Sequence, residues 1–239
     1  MTTIVISQPM FLPWRGLFEQ IAAADDYVHY DNVQLPMGRS FTNRVQVKSE
    51  TGVMWLTVPI LRSGKQLIMD VEIDHEQPWR SRHLRTIHHL YSKARYYKEV
   101  IDVIHRIYEN DTKSLSEFNI FAIEYIAQWL GLNTRFHRSS EHPPHGAKSE
   151  GLMDIIQTYQ ADKYITGHGA RHYLDHEYFE RHHVGVYYMR YQKLPHKQLH
   201  GDFTPYVSII DLLCNEGLQA RNFLIPVTQP WRDFIHESN

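Results

Sequence analysis

Three stretches of this chain place polar, charged and glycine residues at spacings suited to holding a ligand. In the first, His168 stands between Gly167 and Gly169, with Arg171 just beyond. Glycines at a strand-to-helix turn let the backbone approach a ligand closely. His168 would then serve as an acid or base, and Arg171 as a charge clamp. The competing reading is a plain structural turn. In the second, Asp31, Gln34, Asn43 and Arg44 bring a carboxylate, two amides and a guanidinium near the end of one strand. Such a set can read a sugar or phosphate through bidentate bonds, or it can be an Asp-Arg pair fixing a loop. In the third, Gln8, Pro9 and Trp14 occupy a strand-to-helix connection, where helix N-terminal amides can hold an anion. Prolines and a tryptophan equally serve to stiffen and pack such a turn, and no glycine-rich phosphate fingerprint decides between the two.

Other chemistries find less support. The chain has 17 histidines, yet it contains neither His-Glu-x-x-His nor a cysteine pair, so no metal site is expected. No Gly-x-Ser-x-Gly elbow marks a serine hydrolase. The lone cysteine, Cys214, lies in an apolar helical pattern and reads as a structural thiol. Lys148 reads as a solvated lysine at a helix start, and Asp211 as a satisfied carboxylate inside an apolar helix.

The elements that must position these groups follow from periodicity. Ile4 to Ile6 is a short β-branched run ending at Gln8, as in an interior parallel strand. A helix from near Trp14 and a second strand over 27–31 complete a βαβ unit, with Gln8 and Asp31 at the carboxyl ends where ligands of open α/β sheets bind. A hairpin is expected over 43–58 and an alternating strand over 68–73. Helical spacing over roughly 79–131 predicts an insertion of two to four packed helices. A strand over 133–136, a helix over 152–159, a strand over 163–166 and a helix over 208–216 follow. The expected fold is α/β: a single domain spanning 1–239, with a mixed, mainly parallel sheet, βαβ units and a helical insertion.

Composition bounds the function. An apolar fraction of 42% with 22% charged residues excludes wholesale disorder. A net charge of -2 and a pI near 6.8 give no global field for nucleic acid or an anionic membrane. No basic segment leads an apolar stretch at the N-terminus, and no run of about 18 apolar residues occurs, so cytoplasmic residence without membrane insertion is the expectation.

Taken together, the motifs resemble those of the WbqC-like family over nearly the whole chain. The resemblance lies in Gln8-Pro9, Pro13-Trp14 and Gly16, Tyr30-Asp31 with Gln34, Asn43-Arg44, Trp55-Leu56 with Pro59, Trp79, Ser139-Ser140, the segment from Tyr164 through Gly167 to Leu174, and Ser208-Ile209 with Asp211 and Gly217. Leu35 and Phe41 stand where related sequences more often carry an aromatic and a tryptophan, and His168 where a small residue is common. The first βαβ stretch also resembles the opening of adenylyl-transferring synthetases, although their His-x-Gly-His is absent. The family resemblance implies a place in bacterial O-antigen and related glycan synthesis. It points to a transferase that adds an acyl or aminoacyl group to the amine of a nucleotide-linked amino sugar. Asp31 would be the base, Arg44 and Arg171 the clamps, and coenzyme A or a carrier protein would bring the donor. The alternatives are a non-catalytic sugar-nucleotide-binding or scaffolding protein, and a nucleotidyl-transferring ligase.

Overall fold

A computed structural model describes residues 1–38 and 40–237. Apolar residues at strand spacing build β1 (Thr3–Ser7), and Leu17, Phe18 and Ile21 at helical spacing bury one face of α1 (Arg15–Ala22), which leads into β2 (Asp26–His29). A long excursion follows. It comprises a hairpin of β3 (Arg44–Ser49) and β4 (Gly52–Thr57), the short pair β5 (Ile60–Leu61) and β6 (Glu72–Ile73), and three helices: α2 (Trp79–Tyr91), α3 (Tyr97–Tyr108) and α4 (Leu115–Trp129). The chain then returns as β7 (Arg135–Arg138), α5 (Ser149–Thr158), β8 (Lys163–Thr166), α6 (His176–Arg181), β9 (Gly185–Met189), α7 (Ile209–Glu216), β10 (Thr228–Pro230) and α8 (Trp231–Glu237).

The main sheet has the order β10-β9-β8-β1-β2-β7 and is parallel except for β10, which runs against β9. Because successive strand residues face opposite ways, Val5, Tyr27 and Ile165 enter one core with α1, the inserted helices and α7. Ile4, Val28, Tyr164 and Val186 enter a second core with α5, α6 and α8. The result is a single α/β domain of three layers, which matches the expected class. The three inserted helices fall inside the helical stretch read from periodicity.

The chain passes from β1 to β2 on one side and later places β8 on the other side of β1. The strand order therefore reverses between β1 and β8, and a crevice opens at their carboxyl ends. The β1–α1 connection beside that crevice carries buried backbone groups that no strand or helix satisfies. Asn119 of α4, fully buried, donates to Pro9 O at 3.1 Å and to Thr42 O at 2.7 Å. Ser208 donates its hydroxyl to Leu12 O at 2.7 Å, Ile209 N donates to Pro13 O, and Phe11 N donates to Phe41 O. Gly217 ends α7 with φ of +56°, and Tyr96 lies so close that a Cβ there would sit 2.7 Å from its ring.

One expected element differs. Residues 68–73 are not a six-residue strand but a 3₁₀ turn over Ile68–Asp70 followed by the two residues of β6. Ile68 N and Met69 N donate to Val33 O and Asp31 O, and Ile68 and Val71 are both buried, so this segment clasps the loop after β2 instead of alternating between two faces. β9 was not foreseen, although Val184 to Met189 is an apolar run of strand length.

Two stability predictions follow from buried polar groups in the insertion. Replacing Asn119 by Ala strands two buried carbonyls at once, so Asn119→Ala should lower unfolding stability by on the order of 3 kcal/mol in urea titration, and no loss would refute that role. Buried His83 donates from Nε2 to Thr57 O at 3.1 Å, which leaves Nδ1 to accept from the Tyr108 hydroxyl at 3.1 Å. Burial holds its imidazole down to about 4, from an ordinary value of 6.5. Since the folded state resists the proton, this contribution is present above pH 6.5 and is lost as pH falls towards 4, on the order of 3 kcal/mol in all. Melting temperature should therefore fall through that window, and fall less steeply in His83→Gln; equal slopes would count against it.

Candidate functional site

The crevice at the strand reversal encloses about 550 Å³, within the usual size of a small-ligand site. Ser7 and Gln8 form its wall on the β1 side, and Thr166 and Gly167 its wall on the β8 side. Gln20 of α1, Tyr30 beyond β2, Tyr173 and Lys148 complete the lining. Tyr30 is drawn in because its backbone N donates to Ser7 O at 2.8 Å. Lys148, the residue before the ten-residue helix α5, adopts φ of +52° and lines the crevice together with Leu152 of α5. A helix start and an ammonium group together favour an anion. The aromatic faces of Tyr30 and Tyr173 suit a sugar ring or a base. Burial pushes both phenol pKa values up, so both remain protonated donors at neutral pH.

The crevice brings Gln8 and the glycine turn together. Gly167 is extended with φ of -84°, and residues His168–His172 form a 3₁₀ helix. A Cβ on Gly167 would lie 3.3 Å from the Tyr191 hydroxyl, which itself accepts from Gln20 Nε2 at 2.7 Å. Gly169 faces open space along the crevice. His168 is not in the crevice wall. Its Nε2 donates to Met189 O at 2.7 Å and its ring packs against Tyr191 and Phe234, so it ties the turn to β9. Arg171 is exposed beside His172 and also lies outside the wall.

Asp31 is placed away from the crevice as well. Its buried carboxylate accepts from the Ser139 hydroxyl at 3.0 Å, from Ser140 N at 3.0 Å and from the Ser140 hydroxyl at 2.7 Å. This arrangement pins the end of β7 to the tip of β2, which explains why the Ser139-Ser140 pair and Asp31 belong together. A carboxylate so committed has little lone-pair capacity left for a substrate proton. Asn43 donates its side-chain N–H to Val58 O at 3.1 Å, and its backbone carbonyl accepts from Val58 N, closing the hairpin. Gln34 is exposed and bridges to Leu67. Arg44 lies over the Trp55 ring at 4.1 Å, with its Nε buried and without a hydrogen-bond partner.

Trp14 and Pro13 open onto a second, apolar pocket of about 310 Å³ on the other side of the β1–α1 connection. Met10 borders both cavities. Gly16 makes room for this, because a Cβ there would fall 2.2 Å from the Trp14 ring. The indole can fold back over the first turn of α1 only above a glycine. Pro9 is packed into the same connection through the Asn119 bond to its carbonyl.

Sequence reading missed Lys148, Tyr30, Tyr173 and Gln20 as crevice residues. Lys148 carried a signal in its position before a helix, and Tyr30 and Tyr173 lie within the motifs of the family resemblance; Gln20 is an ordinary amide until the sheet order is known. Among the described residues, no group of three or more His, Cys, Asp or Glu is arranged to hold a metal. No helix among them is long and apolar enough to cross a membrane.

A family model described as the WbqC-like protein family matches residues 8–223. The uncharacterized protein Rv1507c of Mycobacterium tuberculosis (strain ATCC 25618 / H37Rv) is similar, at 34% identity over 228 residues that span 94% of this chain and 98% of that one. No solved structure matches the chain.

The Asp31 cradle generates a direct expectation. Asp31→Ala leaves the Ser140 hydroxyl and the part-buried Ser140 N–H short of partners, while the Ser139 hydroxyl keeps Asn32 Oδ1, and should cost on the order of 2 kcal/mol of stability by thermal or denaturant unfolding. Full stability with lost ligand binding would instead place the carboxylate at the ligand.

Proposed function

The chain belongs to the WbqC-like protein family, and from that footing we propose that it is a transferase acting on a nucleotide-linked amino sugar of a bacterial surface-polysaccharide pathway. In this reading it places an acyl or aminoacyl group on the sugar amine. The observation that carries the reading is the crevice between β1 and β8, where Gln8, Thr166, Tyr30 and Tyr173 offer hydrogen bonds and ring faces, and Lys148 a cation, in a space of nucleotide-sugar scale. Lys148 and the start of α5 would hold the diphosphate, and the two tyrosines would flank the sugar or base. The donor is a thioester on coenzyme A or on a carrier protein. The amine nitrogen bonds to the acyl carbon, the carbon-sulfur bond breaks, and the thiol leaves while the amine gives up one proton.

On this reading Asp31 is a positioning residue that fixes the strand tip carrying Tyr30, and His168 anchors the turn beside Gly169. The amine must react unprotonated, and no carboxylate lines the crevice among the described residues. That same feature favours a second reading, in which the protein binds the sugar nucleotide for partner enzymes without transferring anything.

Calorimetry with uridine- and thymidine-diphosphate amino sugars should show binding that weakens about tenfold or more in Lys148→Met. It should also weaken in Gly169→Ala, which adds one methyl to open crevice space and should leave the melting temperature unchanged. Mass detection of an amide product with acyl or aminoacyl thioesters separates the readings: binding with product supports the transferase, binding without product the non-catalytic role. Absence of binding by any nucleotide sugar would defeat both.

A further inference from the structure

The hairpin of the inserted segment leaves one strand edge open. β3 has partners along both edges: β4 on one side, and on the other Ser208 N, which donates to Gln46 O at 2.7 Å, and the Tyr91 hydroxyl, which accepts from Lys48 N at 3.1 Å. Among the described residues β4 has no strand neighbour except β3. In an antiparallel ladder, two residues opposite each other turn their backbone groups the same way, either toward each other or away. Gln46 and Lys48 turn theirs away from β4, so their cross-strand partners Trp55 and Val53 turn theirs away from β3. The N–H and C=O groups of Val53 and Trp55 accordingly meet no partner among the described residues.

The same strand is apolar and uncharged. Val53, Met54 and Trp55 are 45%, 38% and 38% exposed, and Phe41, whose ring centroid lies 5.9 Å from that of Trp55, is 54% exposed. Soluble proteins protect an open edge with lysine, proline or a bulge. β4 has neither lysine nor proline, and its register with β3 runs unbroken from Gly52 to Thr57. An unprotected edge of this kind receives another extended strand.

The geometry selects a second copy of this chain as that strand. About a two-fold axis at Met54, Val53 of one copy stands opposite Trp55 of the other, and both carry outward-turned groups, as a hydrogen-bonded pair requires. Each such pair exchanges two backbone bonds. On one face Trp55 covers Val53, and on the other Met54 covers Met54, so the exposed apolar side chains of the strand cover one another. The register also sets the hairpin turn of one copy, with exposed Glu50, beside Thr57 of the other. There His83 of α2 binds Thr57 O, and the preceding residue of α2, Arg82, is exposed. An acid thus meets a base at both ends of the pairing. We propose that β4 is a homodimer interface, in which two copies join antiparallel through Val53, Met54 and Trp55 into one four-stranded sheet. The inference is independent of the crevice and of the reaction proposed for it.

The test uses the full chain alone. Sedimentation velocity over a concentration series should show a monomer giving way to a dimer. Hydrogen exchange reads the register: the amides of Val53 and Trp55 should exchange freely in dilute protein and slowly in concentrated protein, whereas the Met54 amide, turned into the β3 ladder, should be slow in both. Met54→Lys and Met54→Glu each set like charges across the axis at an exposed position. Each should weaken dimerisation about tenfold or more, while melting in dilute solution stays as in the wild type. An equal mixture of the two variants should regain the dimer, because opposite charges then face each other. A wild-type chain that stays monomeric at every concentration, a dimer whose Val53 and Trp55 amides remain unprotected, or a mixture that pairs no better than either variant by itself would overturn the proposal.

Discussion

The structure depends on holding one buried loop still. Between β1 and α1 the chain runs through Gln8, Pro9 and Pro13 with Leu12 at a positive φ of 38°, so it can join neither a strand ladder nor a helix. Its carbonyls nevertheless lie inside the protein, where an unmet acceptor is costly. Asn119 meets Pro9 O, Ser208 meets Leu12 O, and the amide of Ile209 meets Pro13 O. These partners stand about 110, 196 and 196 residues away along the chain. The inserted helices and the C-terminal helix are thereby brought to one loop, and that loop becomes the shared wall of the crevice and the apolar pocket.

Satisfying the loop also accounts for residues that look unrelated in sequence. Ser208 caps α7, since its hydroxyl accepts from Ile210 N, while its proton goes to Leu12 O. Gly16 is fixed by the Trp14 ring and not by its own backbone angle. Asp31 with Ser139 and Ser140 performs the corresponding service one strand over, keeping β2 and β7 level so that Tyr30 reaches the crevice. The Ser208 bond to Leu12 O and the Ser140 N bond to Asp31 join a polar side chain to backbone just beyond a strand end.

Sequence patterns revealed the frame well, because frame elements declare themselves locally. The β-branched run at Ile4, the helical spacing after Trp79 and the Ser208 to Gly217 helix were all legible, and the βαβ logic put Gln8 and Asp31 at carboxyl strand ends, of which Gln8 lines the crevice and Asp31 does not. The roles of individual polar residues were less legible. Asp31, Asn43 and Arg44 form a tempting polar set in sequence, yet the first is enclosed by two serines, the second closes a hairpin and the third stacks on Trp55. Which polar groups face a cavity depends on partners brought in from other segments, and one-dimensional spacing does not record them. Lys148, Tyr30 and Tyr173 converge only because β8 lies on the far side of β1 from β2.

This division of labour bears on how function is carried by the fold. The parallel strands and α1 supply a crevice that any doubly wound sheet provides at its reversal point, and such a crevice alone says little about the reaction. What distinguishes this chain is the segment between β2 and β7, which contributes the hairpin, Phe41, Arg44 and Trp55, and also Asn119, which locks the common loop. The inserted segment therefore both builds the second pocket and braces the wall that separates it from the first. A substitution that loosens Asn119 disturbs both cavities at once, whereas one at Phe41 reaches only the second. That difference follows from one side chain being buried under the loop and the other standing at the rim.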